Sequence, residues 1–271
     1  MTHRSRSKGE ESLYVLDAET NACLHYTPIE LFPKKLKADI PLEHIKGHSN
    51  IQLRSDLQDV QIDICTLEVP ALFTENFDYQ DIRKDFVRGV LESDLLGKTI
   101  YCKILKGEYA VRVKNTFMYN SVSKDVLRRW AYPLVPESKM LSADDCVLVG
   151  TNLYKERKVQ ISRSAPFYHP LSYIFRSTIL KGHNLIGANS VIAEKAHIKN
   201  SVIGKNCRIG SGAVIVDSYI WDNTEVKSGA NLKSCIAGKN VVIKENALLL
   251  EGCLLGENVS SHLVCLLWLI S

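Results

Sequence analysis

From Ile186 onward an aliphatic residue returns every five or six positions: Ile186, Ile192, Ile198, Ile203, Ile209, Ile215, Ile220, Val226, Leu232, Ala237, Ile243, Leu249 and Leu255. The spacing runs six, six, five, so the larger period is 17 residues. Ile186, Ile203, Ile220 and Ala237 form one column of that period. A second column, mostly small, lies four residues after most anchors: Ser190, Ala196, Cys207, Ala213, Thr224, Ala230, Val241, Ala247 and Cys253. Turn formers such as Asn189, Asn206, Gly212, Gly229 and Asn240 sit between them. An amphipathic helix would place apolar residues at i, i+3, i+4 and i+7, and this chain does not. A fixed period marks a repeat architecture. The pattern predicts a left-handed parallel β-helix. Each hexad gives one short strand and one turn, three hexads close a triangular coil, the anchors stack inside, and small residues fit the corners. Trp221 directly follows an anchor and is expected to point outward. Val159–Leu185 reads as an irregular first coil, loosened by Pro166 and Pro170. A solenoid has open ends that need cover. The apolar run Leu263–Ile270 breaks the repeat and reads either as a packing lid or as a tail foreign to it.

The first half carries mixed α and β patterns. Leu13–Leu16 reads as a strand, Asp17–Asn21 as a turn and Cys23–Tyr26 as the returning strand. Val60, Ile62 and Ile64 alternate with Gln61 and Asp63, which predicts a half-buried strand. Glu68–Glu75 predicts a short helix with Pro70 near its first turn. Asp81–Leu91 sets Ile82, Phe86, Val87 and Val90 on one helical face. Ile100–Ile104 and Ala110–Val113 read as strands. Ser123–Trp130 reads as a helix capped by Ser123 with Asp125 in its first turn, ended by Pro133 and Pro136. Glu137–Gly150 leads into the repeat.

Composition narrows the class. The chain has 271 residues, 45% hydrophobic and 24% charged, which excludes a wholly disordered chain, collagen and a coiled coil. Its 34 basic and 30 acidic residues leave +4, too small an excess to argue for nucleic acid as the main partner. Eight cysteines occur without C-x-x-C spacing, several inside apolar runs, which fits free thiols in a reducing cytosol. Met1–Glu11 is polar and basic and is not a signal peptide. The longest apolar run is eight residues, where a membrane span needs about 20.

Little in the chain resembles catalytic machinery. No Gly-rich phosphate loop of either standard kind and no G-x-S-x-G elbow occurs. His44 and His48 are four apart with no carboxylate motif, a poor metal pair. Asp59 and Asp63 would share a strand face, readable as a two-carboxylate metal site and more simply as a solvated face. Phe73–Gln80 places three aromatics beside an Asn and two acids, either a buried loop anchored by Phe73 and Phe77 or a protein-binding spot. Arg128, Arg129 and Trp130 read as stacking and pairing at a domain junction.

Three of these segments occur in the order that marks a family. Asn76-Phe77-Asp78-Tyr79-Gln80, then Asp85-Phe86-Val87-Arg88-Gly89, then Arg128-Arg129-Trp130 with Tyr132-Pro133-Leu134, resemble the epsilon subunits of eukaryotic translation initiation factor 2B. The gamma subunit matches the first segment less well. The resemblance covers about residues 12–259. It implies an α/β plus all-β chain: the C-terminal part of a nucleotidyltransferase-like domain over 1–136, a linker over 137–158, the left-handed β-helix over 159–259 and a divergent tail over 260–271. It implies a non-enzymatic cytosolic part of the factor that exchanges GDP for GTP on initiation factor 2, with no cofactor, metal, membrane or nucleic acid. The expected partners are the sister subunits, gamma first and then beta and delta, and the initiation factor 2 GTPase complex. The family's partner-contacting motif falls on Asn76 and Phe77. The family also has an N-terminal half to the α/β domain and a C-terminal helical exchange domain, so a partial chain is expected. The alternative is an enzyme, a sugar-nucleotide nucleotidyltransferase or a hexapeptide acyltransferase, for which His183 and His197 are the candidate bases.

Overall fold

The computed structural model describes residues 12–29, 40–42, 45–93, 96–138, 146–149, 153–156, 159–162, 172–175, 177–261 and 264–265. His44, Pro166, Pro170 and most of the Leu263–Ile270 run lie outside the described residues. The chain divides into two compact units, residues 1–112 and 113–271.

The first unit is built on three antiparallel strands, β1 (Ser12–Asp17), β2 (Cys23–Pro28) and β3 (Ile51–Arg54), in the order β2-β1-β3. Asp17 makes the first turn. Its Oδ1 accepts the amides of Glu19 at 2.8 Å and Thr20 at 3.3 Å, and Asn21 takes the left-handed conformation that Asn tolerates. His48 Nδ1 lies 2.8 Å from Asp17 Oδ2, so this histidine braces a turn. The Glu19 amide first, and His48 next, hold the Asp17 carboxyl below its usual range. Tyr14, Leu16, Cys23 and Tyr26 then pack against Phe86, Val87 and Val90. Those three come from a π-helical turn at Ile82–Phe86 that runs into α2 (Val87–Glu92), preceded by α1 (Glu68–Glu75).

Several expected elements differ. Val60–Ile64 forms no strand: Ile62 is 76% and Ile64 fully exposed. Alternation makes a strand only where a ladder can receive it. Here Asp59 Oδ1 accepts the Gln61 amide at 2.7 Å and Gln61 turns into the left-handed region. Of Ile100–Ile104 only a single bridge, Tyr101 with Ala22 just before β2, is made, and Ala110–Val113 makes no strand.

In the second unit the helix expected at Ser123–Trp130 starts earlier, as α3 (Thr116–Leu127). Its cap is Asn115, whose side chain accepts the Met118 amide at 2.8 Å. Packing rather than propensity sets this register. Tyr119 meets Tyr219 edge to face at 4.9 Å, Tyr219 Oη reaches Asn120 Oδ1 at 2.8 Å, and Lys124 pairs with Asp217 at 2.5 Å. The helix ends at Leu127, before either proline, and the chain turns at Arg129, which is left-handed at φ 66°.

The repeat forms a parallel solenoid of three sheets. Every predicted anchor is buried. Ile186, Ile203, Ile220, Ala237 and Leu255 stack through one sheet. Ile174, Ile192, Ile209, Val226 and Ile243 stack through the second, and Leu180, Ile198, Ile215, Leu232 and Leu249 through the third. The small column is buried at the corners as expected. Buried hydroxyls at the corners are not idle: Ser190 Oγ of that column accepts the Cys207 amide at 3.1 Å, and at another corner Ser201 Oγ accepts that of Ser218 at 3.2 Å and Ser218 Oγ that of Cys235 at 3.2 Å. Each coil thereby satisfies a buried donor of the next, which would otherwise cost about 1–3 kcal/mol. Asn189, Asn206, Asn223 and Asn240 repeat the left-handed turn at φ 55–57°, and Asn206 Nδ2 donates to Asn223 Oδ1 at 3.0 Å. Gly210 is required by close approach: a Cβ there would come within 2.5 Å of the Ser228 backbone nitrogen. Trp221 points outward and is 42% exposed.

Burial inside the solenoid suppresses thiol chemistry. It pushes the Cys207 thiol up to about 11 and the Cys235 thiol up to about 12. At pH 8 only about one Cys207 in a thousand carries the reactive thiolate. Iodoacetamide at pH 8 is expected to modify exposed Cys65 while Cys207 and Cys235 remain unlabelled until the protein unfolds. Peptide mapping before and after guanidinium checks this, and native labelling of Cys207 as fast as Cys65 would contradict the packing.

Candidate partner-binding site

Asn76 and Phe77 sit just past the end of α1. Asn76 caps the helix twice over: its backbone amide donates to Leu72 O at 3.1 Å and its side-chain Nδ2 to the same oxygen at 3.0 Å. These bonds satisfy an orphan helix-end carbonyl and turn the chain sharply. The Tyr79 amide then closes onto Asn76 O at 3.1 Å. Phe77, at the apex of this turn, is 90% exposed.

The turn stands on a rigid base. Phe73 stacks on Phe86 at 5.0 Å, and Tyr79 meets both rings edge-on, at 5.9 and 5.8 Å. Such pairs add about 0.5–1.5 kcal/mol each beyond burial. Gly89 makes room: any Cβ there would overlap the Tyr79 hydroxyl. Asp85 Oδ2 accepts the amides of Gln80 at 3.0 Å and Asp81 at 2.8 Å. Asp81 Oδ1 accepts those of Arg83 at 2.7 Å and Lys84 at 2.9 Å. The Lys84 amide chiefly holds the Asp81 carboxyl below its usual range. Tyr79, Asp85 and Gly89 of the two motif segments thus build one scaffold, and Phe77 is the aromatic it leaves outside.

Asp59 and Asp63 form neither of the expected arrangements. Both clasp Arg83, Asp59 through Nε at 2.5 Å and Asp63 through Nη2 at 2.6 Å. Burial opposes the Arg83 charge, but the two carboxylates together outweigh it and raise its pKa. No local spacing announces this clasp, because its partners lie 20 and 24 residues apart. The expected buried-loop role holds for Phe73 and fails for Phe77. Arg128, Arg129 and Trp130 are exposed, and Arg129 pairs with Glu137. His197 lies on the outer face of the solenoid, and burial, with the nearby Arg128 charge, lowers the His183 pKa. Among the described residues no three His, Cys, Asp or Glu converge to hold a metal, and no helix is long and apolar enough to cross a membrane.

The solenoid belongs to the class of left-handed β-helices, and residues 150–262 match a family of that class. That family is described as the EIF2B subunit epsilon LbH domain, and the resemblance to epsilon subunits is borne out. The chain is 44% identical over 192 residues to translation initiation factor eIF2B subunit epsilon of Schizosaccharomyces pombe, covering 71% of this chain and 26% of that protein. It is 42% identical over 160 residues to its counterpart in Dictyostelium discoideum, covering 59% and 22%. The chain therefore spans about a quarter of the length of these relatives. Among solved structures, the acetyltransferase domain of PglB from Neisseria gonorrhoeae FA1090 is 15% identical with a TM-score of 0.20, covering 58% of this chain and 65% of that one.

Proposed function

We propose that this chain acts as the central part of an eIF2B epsilon subunit, in the factor that promotes GDP release from initiation factor 2. The observation that carries the reading is an aromatic held 90% exposed on a base of stacked rings and hydrogen-bonded turns. A large ring presented rigidly costs little ordering entropy on binding and buries well in a partner's pocket. The first unit is the nucleotidyltransferase-like part, and Asn76 positions Phe77 against the initiation factor 2 complex. Both units serve assembly with the sister subunits, gamma first and then beta and delta. Exchange follows from differential binding: a surface that holds the GTPase more tightly in its nucleotide-free form shifts it toward release. No cofactor is assigned, and the setting is the cytosol.

The test is co-expression of the tagged chain with the gamma, beta and delta subunits. Recovery of gamma in stoichiometric amount supports the assembly role. Recovery of none of the three from a chain that is folded by circular dichroism overturns it.

A further inference from the structure

Several basic side chains of the second unit face acids. Lys233 pairs with Glu251 at 2.8 Å, Lys227 with Glu225 at 2.7 Å and Lys124 with Asp217 at 2.5 Å, and Arg208 stands opposite Glu225 in register. The first two coils depart from this, because there Lys181 stands opposite Lys199. Neighbouring strands lie about 4.8 Å apart, and like charges directly opposite each other destabilise a sheet. Both lysines are exposed, and among the described residues neither side chain has a hydrogen bond or an ion pair. Lys195, at the corner leading into the strand His197–Lys199, is exposed as well, and its side chain has no partner among the described residues.

We propose that this face of the solenoid, with Lys181 and Lys199 at its centre and Lys195 beside them, is a docking surface for an acidic segment of a protein partner. A local arrangement that costs stability and gains nothing in the free molecule marks a place kept for another purpose. Carboxylates laid across the two lysines turn their repulsion into ion pairs. His197, exposed on the same strand, adds a hydrogen-bond donor. Ile179, 40% exposed and in register with His197, adds apolar contact.

The chemistry of the face selects the class of partner. Its outward residues on three successive strands are Ile179, Lys181, His197, Lys199, Val214 and Val216, with no Phe, Tyr or Trp among them. Nucleic-acid bases would find no Phe, Tyr or Trp ring to stack on, and the chain's excess of +4 is small for a phosphate backbone. Holding an anionic membrane takes a cluster of about four or more basic side chains, and three lysines fall short of it. Charge complementarity therefore points to carboxylates on a polypeptide. This surface belongs to the second unit and needs nothing of Phe77 in the first.

The experiment follows the fluorescence anisotropy of a fluorescein-labelled oligoglutamate peptide titrated with the full chain. Binding is expected, and it should weaken as sodium chloride rises from about 50 to about 200 mM. Lys199→Glu sets opposite charges in register with Lys181 and should act twice: affinity falls about fivefold or more, while the thermal midpoint holds or rises. Lys199→Gln should weaken binding less, again with no fall in midpoint. Lys239→Glu makes the same change of net charge at another exposed corner and should lower affinity by less than about twofold. Absence of peptide binding, an equal loss in Lys239→Glu, or a lower midpoint in both Lys199 variants overturns the proposal. So does tighter binding of oligouridylate or of phosphatidylserine vesicles than of the peptide, and that comparison uses the unaltered chain.

Discussion

Ile203→Ala is expected to lower the unfolding free energy of the β-helix by about 2–5 kcal/mol. Ile203 is fully buried and stacks between Ile186 below and Ile220 above. Removing three carbons forfeits about 2.4 kcal/mol of transfer free energy, at about 0.8 per methylene. The cavity adds to this because the walls cannot close in. The Gly187 amide is bonded to Ile203 O and the Gly204 amide to Ile220 O, both at 2.8 Å, so the ladder sets the coil spacing. Stability in such a stack is carried between nearest neighbours, so one weak coil uncouples the coils on either side. Arg208→Ala on the exposed face should change stability by less than about 0.5 kcal/mol. Guanidinium titration followed by circular dichroism compares the two. Equal midpoints would mean that the stacked column does not hold the solenoid together.

Phe77→Ala is the second large effect, and it should be seen in binding rather than in folding. The ring is almost wholly in solvent, so its loss leaves stability within about 0.5 kcal/mol. An anchor aromatic in a partner's pocket contributes about 2 kcal/mol or more, so affinity for the initiation factor 2 GTPase complex should fall about 30-fold. Asn76→Ala should weaken binding less and also loosen the end of α1, since it removes the Nδ2 bond to Leu72 O and leaves only the backbone one. Calorimetric titration with the purified complex, paired with thermal melts, separates these outcomes. Unchanged affinity in Phe77→Ala, or an equal loss in binding and melting temperature, would remove Phe77 from the partner surface.

The two halves were unequally legible. The solenoid was readable because its period is one-dimensional: each inward residue meets the residue 17 or 18 positions away, so the register is printed along the chain. The Asn turns were readable for the same reason, since a left-handed corner every coil favours Asn or Gly, although Lys195, Asp217 and Ser234 also take it. In the first unit the hairpin around Asp17 and the helix at Glu68–Glu75 were local and therefore visible. The strand expected at Val60–Ile64 was not formed, because alternation records a preference for a two-faced surface and says nothing of whether a neighbouring ladder exists. The start of α3 was misplaced for a related reason. Asn115 reads as an ordinary loop residue until Tyr119 and Asn120 are seen against Tyr219, 99 residues on from Asn120.

The motif segments show the same division at the level of the site. The sequence by itself determined that an aromatic and polar cluster lies between two apolar elements, which order of segments marks the family, and that a β-helix follows. Only the tertiary structure decided that Phe73 turns inward while Phe77 turns out, and that Asp59 and Asp63 clasp Arg83. The physical reason is that a repeat pairs each residue with a neighbour at constant separation. Side chains around a turn are instead sorted by which ring finds a stacking partner and which acid finds an unpaired amide, and those partners are fixed only when distant segments pack.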